Sequence, residues 1–236
     1  PVLYYVPHQK AIAPYNDTFG NELYMIEEHA GDDHGYQKSF AFSNELIGTD
    51  DMLAEIRSDE NIIIDETAYV RARIFDMLIG DWDRHQDQWC WAKTKKGSQT
   101  VYVPVPRDRD QAFSNMNDGF LLGIGSRIIP AARLLQGYEN DLRSPKWFNL
   151  EPYPLDVTLI SESDKSVWDA QVNIITSQLS DAVIEEAFQN IPKELQGKNI
   201  EDIKAKLRAR RGNLQEISNV YFAHVNKFAV IKGTDK

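Results

Sequence analysis

Two short runs concentrate the residues best suited to chemistry. The run "GDWDRHQDQW", residues 80 to 89, holds Asp81, Asp83, Asp87, Arg84, His85 and Gln88 between the apolar stretches "IFDMLI" and "WCWA". A second run, "PRDRDQAF" at 106 to 113, adds Asp108 and Asp110. If residues 89 to 93 and 101 to 105 pair as a hairpin, the loop entering the first strand and the loop leaving the second emerge at the same end. Asp83, Asp87 and Gln88 then stand near Asp108 and Asp110. Converging carboxylate and amide oxygens suit a hard cation such as Mg²⁺, which accepts one or two carboxylates and leaves positions for water and substrate phosphate. Zinc would want more nitrogen or sulfur than these loops hold. The competing reading is structural, with the aspartates capping helices and turns and Arg84, Arg107 and Arg109 pairing with them.

The elements around these runs follow from periodicity and punctuation. "VLYYV" and "ELYMIEEH" read as strands separated by a Pro- and Asn-rich turn, and "GDDHGYQ" reads as a loop. Thr49 is placed as N-cap of "DDMLAEIRS", with Asp50 and Asp51 in the first turn, where the helix dipole favours negative charge. A longer helix is expected from an Asp65 cap through "ETAYVRARIFDMLIG". Ala68, Ala72, Phe75 and Ile79 recur there at helical spacing, and Gly80 is a natural stop. "WCWAK" and "TVYVPV" follow as strands, "NMNDGF" as a turn and "SRIIPAARLLQG" as the first of several helices. A Pro-rich crossing, "SPKWFNLEPYPLD", precedes helices over 163 to 179, 180 to 191 with Ser180 as cap, and 199 to 229. The order is α+β, with one hairpin embedded among helices.

Helix, then Asp-Arg-x-x-Asp-amide-Trp, then a hairpin, then Asp-x-x-x-Ala-Phe is similar to the catalytic and metal-binding loops of atypical kinases. These are type II phosphatidylinositol 4-kinases, HipA-type bacterial kinases and secretory-pathway casein-kinase-like enzymes. More closely, "ARIFDMLIGDWDRHQDQWCWA" with "PVPRDRDQAF" resembles a domain of large bacterial surface proteins that stands beside metallophosphoesterase and outer-membrane β-barrel domains. That likeness extends to "FGNELYMIEEH", "LSDAVIEEAFQNIP" and the closing "GTDK".

The resemblance implies a protein-kinase-like fold, mainly the helical C-lobe with a catalytic-loop hairpin and a reduced or missing N-lobe. Residues 1–30 would form N-terminal strands and a hinge-like segment, and 31–236 the lobe. It implies Mg (or Mn) and ATP as cofactors. Asp83 matches the catalytic aspartate, braced by Arg84 and His85. Asp108 and Gln88, with Asp110 and Asp87, match the metal positions. Met25, Ile26, Glu27 and Glu28 would line the nucleotide cleft. It also implies an acceptor substrate, a larger parent chain and a bacterial cell-envelope location on the periplasmic or surface side. No Gly-rich phosphate loop and no Val-Ala-x-Lys strand is visible. Lys10 and Lys38 are the nearest cations, and the stretch ahead of the hinge is too short for a full upper lobe. A non-catalytic kinase-like module is therefore the alternative, and a metal-dependent phosphohydrolase a third.

Composition narrows the partners. The net charge of -10 repels phosphate backbones, which excludes nucleic acid unless a basic patch overrides it. The best patch, "KAKLRARRG" at 204 to 212, is expected to be a solvated helix face. Nothing approaches a membrane span. The single cysteine, Cys90, excludes an internal disulfide and a cysteine-based zinc site. Trp82, Trp89 and Trp91 are assigned to core or cleft wall, as are Phe75, Met77, Leu78 and Ile79 to core.

Overall fold

In the computed structural model, a four-stranded mixed sheet packs against helices, and a separate two-stranded ribbon precedes it. Described are residues 2–26, 28–115, 136–189, 191–193 and 196–227. The expected turn "NMNDGF", the "SRIIPAARLLQG" helix and the closing "GTDK" lie almost wholly outside these residues, as does Glu27. The ribbon pairs β1 (Val2–Val6) antiparallel with β2 (Glu22–Ile26). The expected second strand stops at Ile26, short of the acidic residues. A four-residue helix, α1 (Asn16–Phe19), lies between them.

The central hairpin is formed by β5 (Trp89–Lys96) and β6 (Gln99–Pro106), antiparallel from Trp89↔Pro106 to Lys96↔Gln99. It is longer than the sequence pattern suggests, because the turn contracts to Gly97 and Ser98, with Gly97 supplying φ 65. β3 (Leu46–Gly48) adds to β5 antiparallel, and β4 (Ile62–Ile64) adds to β6 in parallel. The segment after Gly48 forms α2 (Thr49–Ser58), and Gly48, not Thr49, is its N-cap. Thr49 is used elsewhere: its hydroxyl donates to the Gln86 carbonyl (2.6 Å) and accepts from Trp91 Nε1 (3.0 Å). That bridge ties the helix start to the acid-rich loop.

Helix α3 (Glu66–Ile79) starts and stops where its punctuation says. Asp65 accepts from the Ala68 amide at 2.9 Å, and Gly80 closes the helix at φ 78. It is buried on more than one face, since Tyr69, Val70, Ile74, Met77 and Leu78 are all inaccessible. Such burial requires cover on both sides. β6 lies on one, and two later helices, α6 (Lys165–Gln178) and α8 (Lys198–Val225), lie on the other. Trp89 and Trp91 continue this core, stacked on each other and tilted against Tyr69.

The Pro-rich crossing is not extended. It contains α4 (Pro145–Phe148) and α5 (Tyr153–Ile160), because proline is tolerated in a first helical turn, where its missing N–H would go unpaired anyway. α7 (Asp181–Phe188) begins on Ser180, whose hydroxyl accepts from the Val183 amide. In α8, Leu207, Leu214, Ile217, Tyr221 and Val225 make one apolar stripe.

The basic run at the start of α8 is not the solvated face expected. Lys204 is buried between Glu185 and Glu201, and Arg210 is 1% exposed. Arg210 donates to the Met77 and Glu139 carbonyls and lies 4.2 Å from the Tyr138 ring centroid. Burial lowers its pKa to about 10. The run became structural because α8 crosses between other elements and does not lie outside them. Among the described residues no helix is long and apolar enough to cross a membrane.

Candidate functional site

Both acid-bearing loops leave the Trp89↔Pro106 end of the hairpin, and backbone bonds close them on each other. The Arg107 amide donates to the Gln88 carbonyl (2.9 Å), and the Phe113 amide donates to the Ile79 carbonyl (2.9 Å). Phe113 sets its ring edge-on to Tyr138 at 5.0 Å, which anchors the far end of the second loop in the core. Asp108 (φ 49) and Phe113 (φ 60) adopt left-handed backbone. That conformation costs a non-glycine residue about 1 kcal/mol, so surrounding bonds must hold it.

Arg84 supplies much of that restraint. Its side chain is completely buried, and it donates to the carbonyls of Arg107 (2.5 Å) and Gln88 (2.8 Å). Its guanidinium lies 4.7 Å from the Trp89 ring centroid. Arg84, which the resemblance gives as a brace of the catalytic aspartate, thus lies beneath the loops, and its guanidinium fixes the two of them in register.

Beneath Arg84 lies a charge network that sequence reasoning missed. Asp76 accepts from Arg73 Nη1 (2.8 Å) and from Arg109 Nε (3.0 Å) and Nη2 (2.8 Å), and it faces Arg84 Nε at 3.5 Å. Arg73 continues to Asp156 and Asn149, and the Tyr69 and Tyr221 hydroxyls donate to Asp156. Asp81 sits against Arg84 (3.4 Å) and Arg109 (4.0 Å), yet neither of its oxygens accepts a hydrogen bond. Burial first, then the Asp76 charge, raises its pKa to about 7. Burial likewise lowers that of Arg84 against the pull of Asp76 and Asp81. Both partners of the Arg84–Asp81 pair are thus pushed toward neutrality, so desolvation outweighs their attraction. The available signal was Arg73 and Asp76, charged and three residues apart inside "RARIFDMLI".

Asp83, His85, Gln88 and Asp108 form a continuous chain of contacts above this network. Gln88 Nε2 is 3.5 Å from Asp108 Oδ2 and 3.4 Å from His85 Nε2, and the same imidazole nitrogen is 3.9 Å from Asp83 Oδ1. His85 Nδ1 accepts from the Asp87 amide at 3.3 Å, so the neutral ring carries its proton on Nε2, facing Asp83 and Gln88. That proton needs an acceptor. Turning the Gln88 amide over supplies its oxygen and sets that oxygen beside the Asp108 carboxylate, an oxygen pair suited to a cation. Asp83 is 30% exposed, Asp108 is exposed and Gln88 is nearly buried, so the pair opens to solvent on the Asp108 side.

The remaining expected ligands are not brought in. Asp87 is 79% exposed against His85 Nδ1, the opposite ring nitrogen, and Asp110 is exposed with no bond to these groups. Their positions explain it: Asp87 lies in the 3-10 turn Gln86–Gln88, which points successive side chains apart, and Asp110 follows Arg109, which turns inward to Asp76. Among the described residues no three of His, Cys, Asp or Glu converge on one point. The donor set therefore fits a cation that arrives with phosphate oxygens of its own, and not a self-sufficient protein cage.

Of the hinge-like residues, Met25 and Ile26 lie in β2, paired with Leu3 and Val2. Glu28 accepts from Gln37 Nε2 (2.6 Å) and lines a cleft of about 250 Å³ with Phe40, Val105, Arg107 and Arg109. That cleft reaches the end of β6 at Val105 and Pro106. Lys38 lines a second, adjoining cavity, and Lys10 is exposed on a 3-10 turn. No family model, curated protein or solved structure matches the chain.

Proposed function

We propose that this chain is a divalent-cation-dependent, atypical-kinase-like phosphotransferase domain of a bacterial cell-envelope protein, with ATP as the phosphoryl donor. Asp108 and Gln88 hold the cation through their oxygens. Asp83 orients an acceptor hydroxyl and takes its proton, and His85, its Nε2 3.9 Å from Asp83 Oδ1, donates its ring proton to the Gln88 oxygen and so holds the amide toward Asp108. When bound, Mg²⁺ or Mn²⁺ would neutralise charge on the transferring phosphoryl oxygens. Arg84 and Arg109 act from below, keeping the loops at fixed separation. The observation that carries this reading is the meeting of the two loops, with the Gln88 amide 3.5 Å from the Asp108 carboxylate and Asp83 facing the same His85 ring nitrogen as Gln88. The envelope location and the larger parent chain rest on the resemblance of "IGDWDRHQDQW" and "PVPRDRDQAF" alone.

Thermal unfolding of the chain with MnATP or MgATP tests it. Saturation at about a hundredfold over Kd adds ~2.7 kcal/mol of stability. At this chain length that is a rise in Tm of roughly 5–10 °C. Asp108→Ala should abolish the rise, whereas Asp83→Ala should keep it and lose phosphoryl transfer. A rise unchanged by Asp108→Ala, or none with either metal nucleotide, refutes the assignment. The second reading, a non-catalytic kinase-like module, is favoured by the presence of only one carboxylate at the cation position, and the absence of any nucleotide effect would select it.

A further inference from the structure

Independently of that site, α3, β6, the turn over residues 38–41 and helices α6 and α7 enclose a cavity of about 490 Å³. This lies within the range of small-molecule pockets, roughly 300–1,000 Å³. Its origin is local: Ala68 and Ala72, one helical turn apart on α3, are too small to fill the space facing Ile175 of α6 and Leu179 just after it. Phe75 and Pro104 complete an apolar floor.

The charged residues on its wall are all cations: Lys38, Arg71 and Arg109, with no aspartate or glutamate among the lining residues. In a chain with 36 acidic against 26 basic residues, that bias runs against composition. Arg109 is committed to Asp76. Lys38 and Arg71 are not: among the described residues neither meets a carboxylate, and Arg71 makes a single 3.3 Å contact with the neutral Gln171 amide. By contrast Lys93, Lys165, Lys204, Lys206, Arg208 and Arg211 all have carboxylate partners. Both uncommitted cations are exposed, which puts them on the solvent side of an apolar hollow. A ligand matching both features has an apolar body and one anionic head.

We propose that this cavity binds a small anionic amphiphile, with its apolar body on Ala68, Ala72, Phe75 and Ile175 and a carboxylate or phosphate monoester head held by Lys38 and Arg71. Titration calorimetry with decanoate and decyl phosphate tests this, with decanol, acetate and inorganic phosphate as controls. Decanoate or decyl phosphate should bind at least tenfold more tightly than decanol, and acetate and inorganic phosphate should give no heat. The double variant Lys38→Gln/Arg71→Gln, altered only at exposed positions, should weaken the amphiphile at least tenfold. Ala72→Phe, which fills the floor, should weaken decanoate and decanol alike. The proposal is overturned if neither amphiphile binds, if the double variant binds as wild type, if decanol matches decanoate, or if inorganic phosphate alone binds through Lys38 and Arg71.

Discussion

Replacing Asp81 by asparagine keeps the side chain's shape and removes its charge, which isolates the cost of holding a carboxylate under the candidate site. Burial and the neighbouring Asp76 raise this carboxyl from 3.8 to about 7 in the folded protein. The side chain has no exposed surface, so solvent screening does not discount the effect. A shift of this size corresponds to roughly 4 kcal/mol at about 1.4 kcal/mol per unit. Because the folded value lies above the unfolded one, the stabilising contribution is complete below about pH 4 and is lost as pH rises through 7. Wild type should therefore lose up to ~4 kcal/mol across that window, and Asp81→Asn should not. Urea denaturation of both proteins at a series of pH values measures the difference. His224, whose pKa burial lowers, works in the opposite direction near neutrality, but it is common to both proteins and cancels. Asp81→Asn should be increasingly the more stable of the two from pH 5 to 8. If the two stability curves run parallel, or the variant is weaker at pH 8, Arg84 and Arg109 outweigh desolvation and the reasoning fails.

Three further changes probe the same scaffold. Arg84→Met leaves Asp76 and Asp81 short of a cation and the Arg107 carbonyl without a donor, so denaturant midpoints should report a loss of about 3–5 kcal/mol; a loss under 1 kcal/mol would mean Arg84 is dispensable. Gly80→Ala puts a Cβ 2.7 Å from Tyr138 Cδ2 at a φ of 78, and calorimetry should show at least ~2 kcal/mol of destabilisation from the left-handed backbone and the displaced ring. Thr49→Val preserves shape but strips the bonds to Gln86 and Trp91; a cost of about 1–3 kcal/mol is expected in chemical denaturation, and a neutral result would contradict the bridge.

The legible part of the fold was local. Asp65, Gly80 and Ser180 act within one turn of themselves, and their capping geometry agrees with the sequence pattern. The hairpin was legible as well, and with it the shared exit of the two acidic loops, because strand pairing carries that geometry regardless of side chains. Residues whose partners lie far along the chain were not legible. Thr49 looks like a cap until Trp91 and Gln86 are placed beside it. Arg84 shows no partner until the Arg107 and Gln88 carbonyls are placed beside it, and Arg210 looks solvated until Met77 and Glu139 receive it. Asp87 and Asp108 are alike in type and differ only in which way their short segments turn, so only the folded chain shows which of them stands beside Gln88.

Two bonds made by α8 bear on the life of the nascent chain. Arg210 reaches back 133 residues to the Met77 carbonyl, and Tyr221 reaches back 65 to Asp156. Until α8 has left the ribosome, the Met77 carbonyl near the end of α3 lacks its Arg210 donor, and the buried Asp156 has only Tyr69 and Arg73. The acid-bearing loop can therefore take its final shape only after α8 has been synthesised, and a chain interrupted before α8 exposes apolar helix faces to quality control.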